Sequence, residues 1–204
     1  MSAGSVQEGG DTMIRAIDVG QYIYSKLGWV DAWRLQKLTY YAQAWTLAWS
    51  GHRLIEDDFQ AWRDGPVAPR LHRENKYSRD GHTGTCIPDA HPEKLSDEQK
   101  AMIDAVIEHY GSLTKEQIVA LVHEEAPWKT ARGGLPADAQ CDTLIDVADM
   151  RRYYAVQQFS GGDVPTAPGC IRDTASRSPA EQQRATMMDN RVRWADALEL
   201  LADR

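Results

Sequence analysis

The sequence predicts an all-α or nearly all-α fold: a single compact helical domain around a buried central helix, with an amphipathic helix at the C-terminus. Three observations carry that prediction. The stretch Trp33 to Trp49, WRLQKLTYYAQAWTLAW, is apolar over most of a helical circumference, and only Gln36, Thr39, Gln43, Thr46 and Ser50 form a polar stripe. A helix of that kind has to be surrounded by other elements. Capping signatures recur at Ser96 with Gln99 and at Thr114 with Gln117, each ahead of apolar residues at helical spacing. No run alternates convincingly at period two, so one short strand pair, near residues 54 to 62 and 143 to 146, is the most β-structure expected.

In chain order, MSAGSVQEGGDT reads as a flexible leader, residues 1–12, with Met13 as an alternative start. Asp18 precedes a first helix in which Val19, Ile23 and Leu27 share a face and Gly28 is the stop. The central helix has Asp31 as its N-cap and Gly51 as its terminator. Its two charges, Arg34 and Lys37, lie near its start, where long side chains are expected to snorkel to the surface. Gly65, Pro66 and Pro69 then forbid a continuous helix, which predicts a rigid bend after Trp62 with Gly65 free to take positive φ. A new helix is expected from about Pro69 to Tyr77.

Residues 78 to 92, SRDGHTGTCIPDAHP, read as an exposed loop. The two capping boxes open helices through Met102 to Tyr110, closed by Gly111, and through Ile118 to Val122, stopping before Pro127. Pro127 to Arg132 is read as a lead into another loop with Gly133, Gly134 and Pro136. Asp146 caps a helix carrying Val147, Met150, Tyr153, Tyr154 and Val156. A linker follows, and a last helix opens at Ser178 and Pro179, its Met187, Trp194, Leu198 and Leu201 at roughly heptad spacing.

The 204 residues are 42% hydrophobic and 26% charged, which describes a soluble globular chain, and no apolar run reaches the roughly 20 residues a bilayer span needs. Three widely spaced cysteines, Cys86, Cys141 and Cys170, favour reduced thiols and a cytoplasmic location. A net charge of -7 opposes unspecific nucleic-acid binding. The nearest thing to a basic patch is Arg70, Arg73, Lys76 and Arg79.

Motifs for catalysis are missing: there is no GxSxG elbow, no GxxxxGK[ST] loop and no GxGxxG after a strand. His123, Glu124 and Glu125 lack the second histidine of HExxH. His82, Cys86 and His91 share one loop, but no second ligand pair accompanies them, so a small metal-dependent hydrolase is only an alternative. Glu56, Asp57 and Asp58 read as solvated loop carboxylates. No catalytic residue, metal site or cofactor is assigned.

LQKLTYYAQAW, FQAWRDGPVAPRLH and HYGSLTKEQIVALVHEEAPWKTAR, in that order, resemble the Panacea domain, a family of antitoxin domains that includes SocA-like proteins. The resemblance covers roughly residues 13 to 158, and its most specific parts are Ala61 to Pro69 and Leu121 to Trp128. It implies a mostly helical fold, no catalysis, and action through protein–protein contact with a cognate toxin. On that basis residues 13–158 are expected to form the Panacea-like domain, 159–178 a linker and 179–204 the C-terminal helix. Expected partner-binding residues are Trp62, Gly65, Pro66, Val67, Arg70, Arg73 and Trp128, with Met187, Trp194, Leu198 and Leu201 of the last helix. For Trp62, Gly65, Pro66, Val67 and Trp128, fixing the fold is an equal alternative. A proteolytic adaptor is a second binding-class alternative. A homodimer is left open; membrane and nucleic acid are not expected partners.

Overall fold

The computed structural model describes residues 13–77, 83–136 and 138–169. The chain falls into two units, Met1–Thr166 and Ala167–Arg204, and every element below lies in the first. The expected helix through Met187, Trp194, Leu198 and Leu201 lies outside the described residues.

Asp31 accepts the Arg34 N–H at 3.0 Å, and Gly51 turns left-handed at φ 77° with its own N–H on Leu47 O, so the central helix α2 runs Ala32–Ser50. Every residue from Leu35 to Leu47 is buried. Around it pack α1 (Ala16–Leu27), the hairpin strand β2 (Gly65–Val67), α3 (Pro69–Tyr77), α4 (Asp97–Tyr110), α5 (Lys115–Glu124) and α7 (Val147–Gln157). The mostly helical fold with a central buried helix is thus as the sequence predicts. Among the described residues no helix is long and apolar enough to cross a membrane.

The polar stripe of α2 is not a solvent face. Gln43 Oε1 accepts the N–H groups of Leu54 and Ile55 at 2.8 and 3.0 Å, and Gln36 Oε1 accepts that of Ala68 at 2.9 Å. Connecting segments carry backbone donors that a helix or sheet ladder would otherwise satisfy, and these buried amides take that place. Lys37, expected to snorkel outward, is instead 1% exposed and donates to Pro66 O at 3.1 Å.

Capping follows the sequence closely elsewhere. Both boxes, Ser96/Gln99 and Thr114/Gln117, form at the starts of α4 and α5. Helix α1 begins at Ala16, earlier than expected, because Asp18 is not ahead of the helix but inside its first turn. There it accepts the Arg15 N–H at 2.9 Å, the Arg15 guanidinium at 3.0 Å and the His91 N–H at 2.7 Å. Burial opposes its ionisation, but these hydrogen bonds outweigh burial and hold its carboxyl below the usual range. The loop before α4 is correspondingly less exposed than its composition suggests. Ile87 is buried, and Gln21 grips Ile87 N and Thr85 O at 2.7 and 3.0 Å.

Two further corrections concern local pairing. Strand β1 (Gln60–Trp62) pairs antiparallel with β2, in the register Gln60↔Val67, Ala61↔Pro66 and Trp62↔Gly65, and meets residue 144 only through a single bridge, Gln60↔Leu144. Residues 126 to 132, read as a lead into a loop, form the short helix α6 (Ala126–Arg132), with Pro127 in its first turn and Gly133 left-handed after it. Proline suits a first turn, because its missing N–H would be unpaired there. Pro127 therefore ends one helix and starts the next.

Behind α2, away from the hairpin, the core is aromatic. Tyr41 stacks on Tyr110 at 4.1 Å, and Trp45 Nε1 donates to Tyr110 Oη at 3.0 Å. Tyr41 and Tyr154 both donate to the buried Glu125 carboxyl, at 3.1 and 2.5 Å. Burial lifts that carboxyl to about 7 against the lowering effect of the two hydroxyls.

Candidate functional site

The hairpin, α3 and the first half of α2 line a cavity of about 600 Å³. Strands β1 and β2 are joined by Arg63 and Asp64 alone, and Gly65 takes φ 100°, a conformation that L side chains rarely adopt. The hairpin lies directly on Lys37. A Cβ at position 65 would sit 2.5 Å from Lys37 Cε and 2.8 Å from Val122 Cγ1, so glycine is needed for close approach as well as for conformation.

From the other side the hairpin is held by α6. Trp128 Nε1 donates to Trp62 O at 3.0 Å, and Arg132 donates to Ala61 O at 3.2 Å while its guanidinium lies 4.9 Å from the Trp128 ring. His123 stacks on Trp128 at 4.2 Å. The two most specific blocks, Ala61 to Pro69 and Leu121 to Trp128, therefore meet in space.

The cavity is lined by Trp33, Trp62 and Val67, and by Gln36, Lys37, Asp64, His72, Asn75 and Lys76. Burial lowers the Lys37 pKa to about 7, while Asp64 and Asp31 favour its charged form. Asp64 is held below the usual carboxylate range: burial opposes this, and the hydrogen bonds from Arg63 and from Trp33 Nε1, the latter at 3.3 Å, prevail. His72 packs edge-on to Trp62 at 4.9 Å, and burial, with Lys76 nearby, lowers its pKa.

The expected contact residues divide into two groups. Gly65, Pro66, Val67 and Trp128 are buried and fix the hairpin, whereas Trp62 is half-buried and faces the cavity. Arg70 and Arg73 are exposed but compensated: Arg70 lies 3.8 Å from Glu56 and 3.9 Å from Asp57, and Arg73 lies 3.0 Å from Glu74. The basic series is accordingly not one patch. Lys76 faces the cavity, Arg70 and Arg73 carry carboxylate partners, and Arg79 lies outside the described residues.

The loop carboxylates also have structural work, Asp57 accepting the Ala16 N–H at 2.7 Å. Of the loop trio considered for zinc, Cys86 is exposed, His91 Nδ1 sits 2.8 Å from Glu93, and His82 lies outside the described residues. Among the described residues no three His, Cys, Asp or Glu side chains are grouped to hold a metal ion.

Trp33, Gln36, Lys37, Asp64, His72 and Asn75 were not singled out as site residues from the sequence. The one signal available was Lys37 itself, a lysine followed by the apolar residues of the central helix. No curated protein and no solved structure matches the chain. Residues 35–129, from the buried part of α2 through the hairpin to the start of α6, match the family model described as antitoxin SocA-like, Panacea domain, the family that the three sequence blocks resemble.

Proposed function

We propose that this chain is a non-catalytic, cytoplasmic antitoxin that neutralises a cognate toxin protein by binding it directly. The observation that carries the reading is the match of residues 35–129 to the SocA-like antitoxin family. The geometry is compatible with it. A neutralising protein needs a rigid scaffold and an exterior that can be fitted to one partner. Here a buried helix and a glycine-fixed hairpin form the scaffold, and Trp62, Arg63, Arg70 and Arg73 project from or beside the hairpin. Half-exposed tryptophan and arginine are the side chains that most often anchor protein interfaces. Met187, Trp194, Leu198 and Leu201 form the second proposed contact, on their spacing in the sequence.

The test is to express the gene encoded beside this one, alone and together with it. The neighbour alone should arrest growth, co-expression should restore it, and the two products should co-purify. A harmless neighbour, or arrest that this chain does not relieve, would contradict the proposal.

A further inference from the structure

The floor of the cavity holds donors without acceptors. Gln36, which lines the cavity, is 3% exposed; its oxygen is taken by the Ala68 N–H, and its Nε2 has no partner. An unsatisfied buried donor is costly, and its presence at a cavity points to something that would satisfy it. Beside it Lys37 Nζ, with three donors to offer, makes one hydrogen bond, to Pro66 O at 3.1 Å. The carboxylate lining the cavity, Asp64, is already engaged by Trp33 and Arg63. With Arg63 and Asp64 paired to each other, Lys37 is the buried cation on this wall, in a chain of net charge -7. The remaining wall is apolar, from Trp33, Trp62 and Val67, and about 600 Å³ is within the usual range for small-ligand pockets.

We propose that this cavity binds a small organic acid, its carboxylate seated on Gln36 Nε2 and Lys37 Nζ and its apolar or aromatic body against Trp33, Trp62 and Val67. A single buried ammonium matches a monoanion, and charge-assisted hydrogen bonds in a sheltered site are the strong ones. The site stands on the cavity alone and does not depend on whether the chain neutralises a toxin.

Binding should also move a proton. Lys37 is poised at about 7 among Asp31 ahead of α2, Asp64 and Arg63 of the hairpin, His72 and Lys76 of α3, and His123 of α5. A carboxylate at its Nζ favours the ammonium, so above neutral pH the complex takes up a proton on forming.

The experiment is calorimetric titration of the full chain at about pH 8, where the proton uptake is visible. The probes are 3-phenylpropionate, indole-3-acetate and octanoate, with 3-phenylpropanamide as the neutral counterpart, in two buffers of different ionisation enthalpy. At least one acid should bind, about tenfold or more tighter than the amide, with buffer-dependent heat. Lys37→Met, and Gln36→Glu, which keeps the acceptor for Ala68, should each weaken it about tenfold or more, while Lys100→Ala should leave it unchanged. The acid-against-amide contrast needs no variant, so a folding defect cannot obscure the outcome. Absence of binding by all three acids up to about 10 mM, equal affinity for acid and amide, or unchanged affinity in Lys37→Met would overturn the proposal.

Discussion

The two sides of α2 bury ionisable groups in opposite ways. Behind the helix Glu125 is closed in by Tyr41 and Tyr154, both of which donate to it. In front, Lys37 sits under the hairpin with one carbonyl partner and a cavity beside it. Burial brings both groups to about 7, Glu125 from below and Lys37 from above. The difference lies in what is left over. Both oxygens of the acid are taken by hydroxyls within the fold; the ammonium has capacity to spare and lines space that another molecule can enter.

The severest way to break this contrast is to remove the helix that separates the two sides. Leu38 is fully buried. Leu38→Asp should cost about 5 kcal/mol or more, the whole stability of a marginally stable domain, so circular dichroism should show the helical signal lost and both sides should fail together.

A smaller lesion confines the damage to the front. Gly65→Ala imposes a left-handed alanine and a 2.5 Å approach to Lys37 Cε, and should cost about 1–3 kcal/mol in a denaturant melt. If the hairpin rests on Lys37 as described, combining it with Lys37→Ala should recover part of that loss, leaving the conformational strain. Simple additivity would show that the contact is unimportant.

Titration sharpens the comparison, because the two groups act with opposite sign. Glu125 is protonated in the folded state up to about 7 and, with an ordinary pKa near 4.5, ionised in the unfolded chain above that, so its contribution is fully present below 4.5 and lost as pH rises to 7. Lys37 gives up its proton at about 7 when folded but near 10.5 when unfolded, so its destabilising effect at low pH is relieved as pH rises from 7 to 10.5. Relative to wild type, Glu125→Gln should remove a falling limb below neutral pH and Lys37→Met a rising limb above it, each of up to about 1.4 kcal/mol per pH unit in urea melts. Matching slopes in variant and wild type would show that the group titrates as if exposed.

The least disruptive change lies on the exterior. Arg73 is exposed and paired only with its neighbour Glu74, so Arg73→Glu should shift stability by about 0.5 kcal/mol or less. It should nevertheless weaken co-purification of the partner if the face beside the hairpin is the contact.

What the sequence disclosed depended on how local the cause was. Caps at Asp31, Ser96, Thr114 and Asp146 are settled within one turn of helix, and all four form as read. Leu35 to Leu47 needed only the periodicity of one segment. Lys37 was misjudged, and the role of Gln36 went unread, because their surroundings come from Pro66 and Ala68, about thirty residues away. A polar residue on an apolar helix gives no sign of whether water or a distant backbone group will meet it. Pro127 was read rightly as the stop of α5, but the helix it opens was missed, because the same residue type serves both ends of a helix junction. The hairpin was read as a bend because three-residue strands leave no measurable alternation.

The most direct test of the central claim compares three forms of this chain, each co-expressed with the neighbouring gene while growth is followed. Wild type should rescue growth; Leu38→Asp should fail and be unfolded. The double variant Trp62→Ala with Arg73→Glu should keep its helical signal and still fail, because partner contact, not the fold, has been removed. Full rescue by that folded double variant would contradict the assignment of the hairpin face, and failure of the wild type would contradict the antitoxin reading itself.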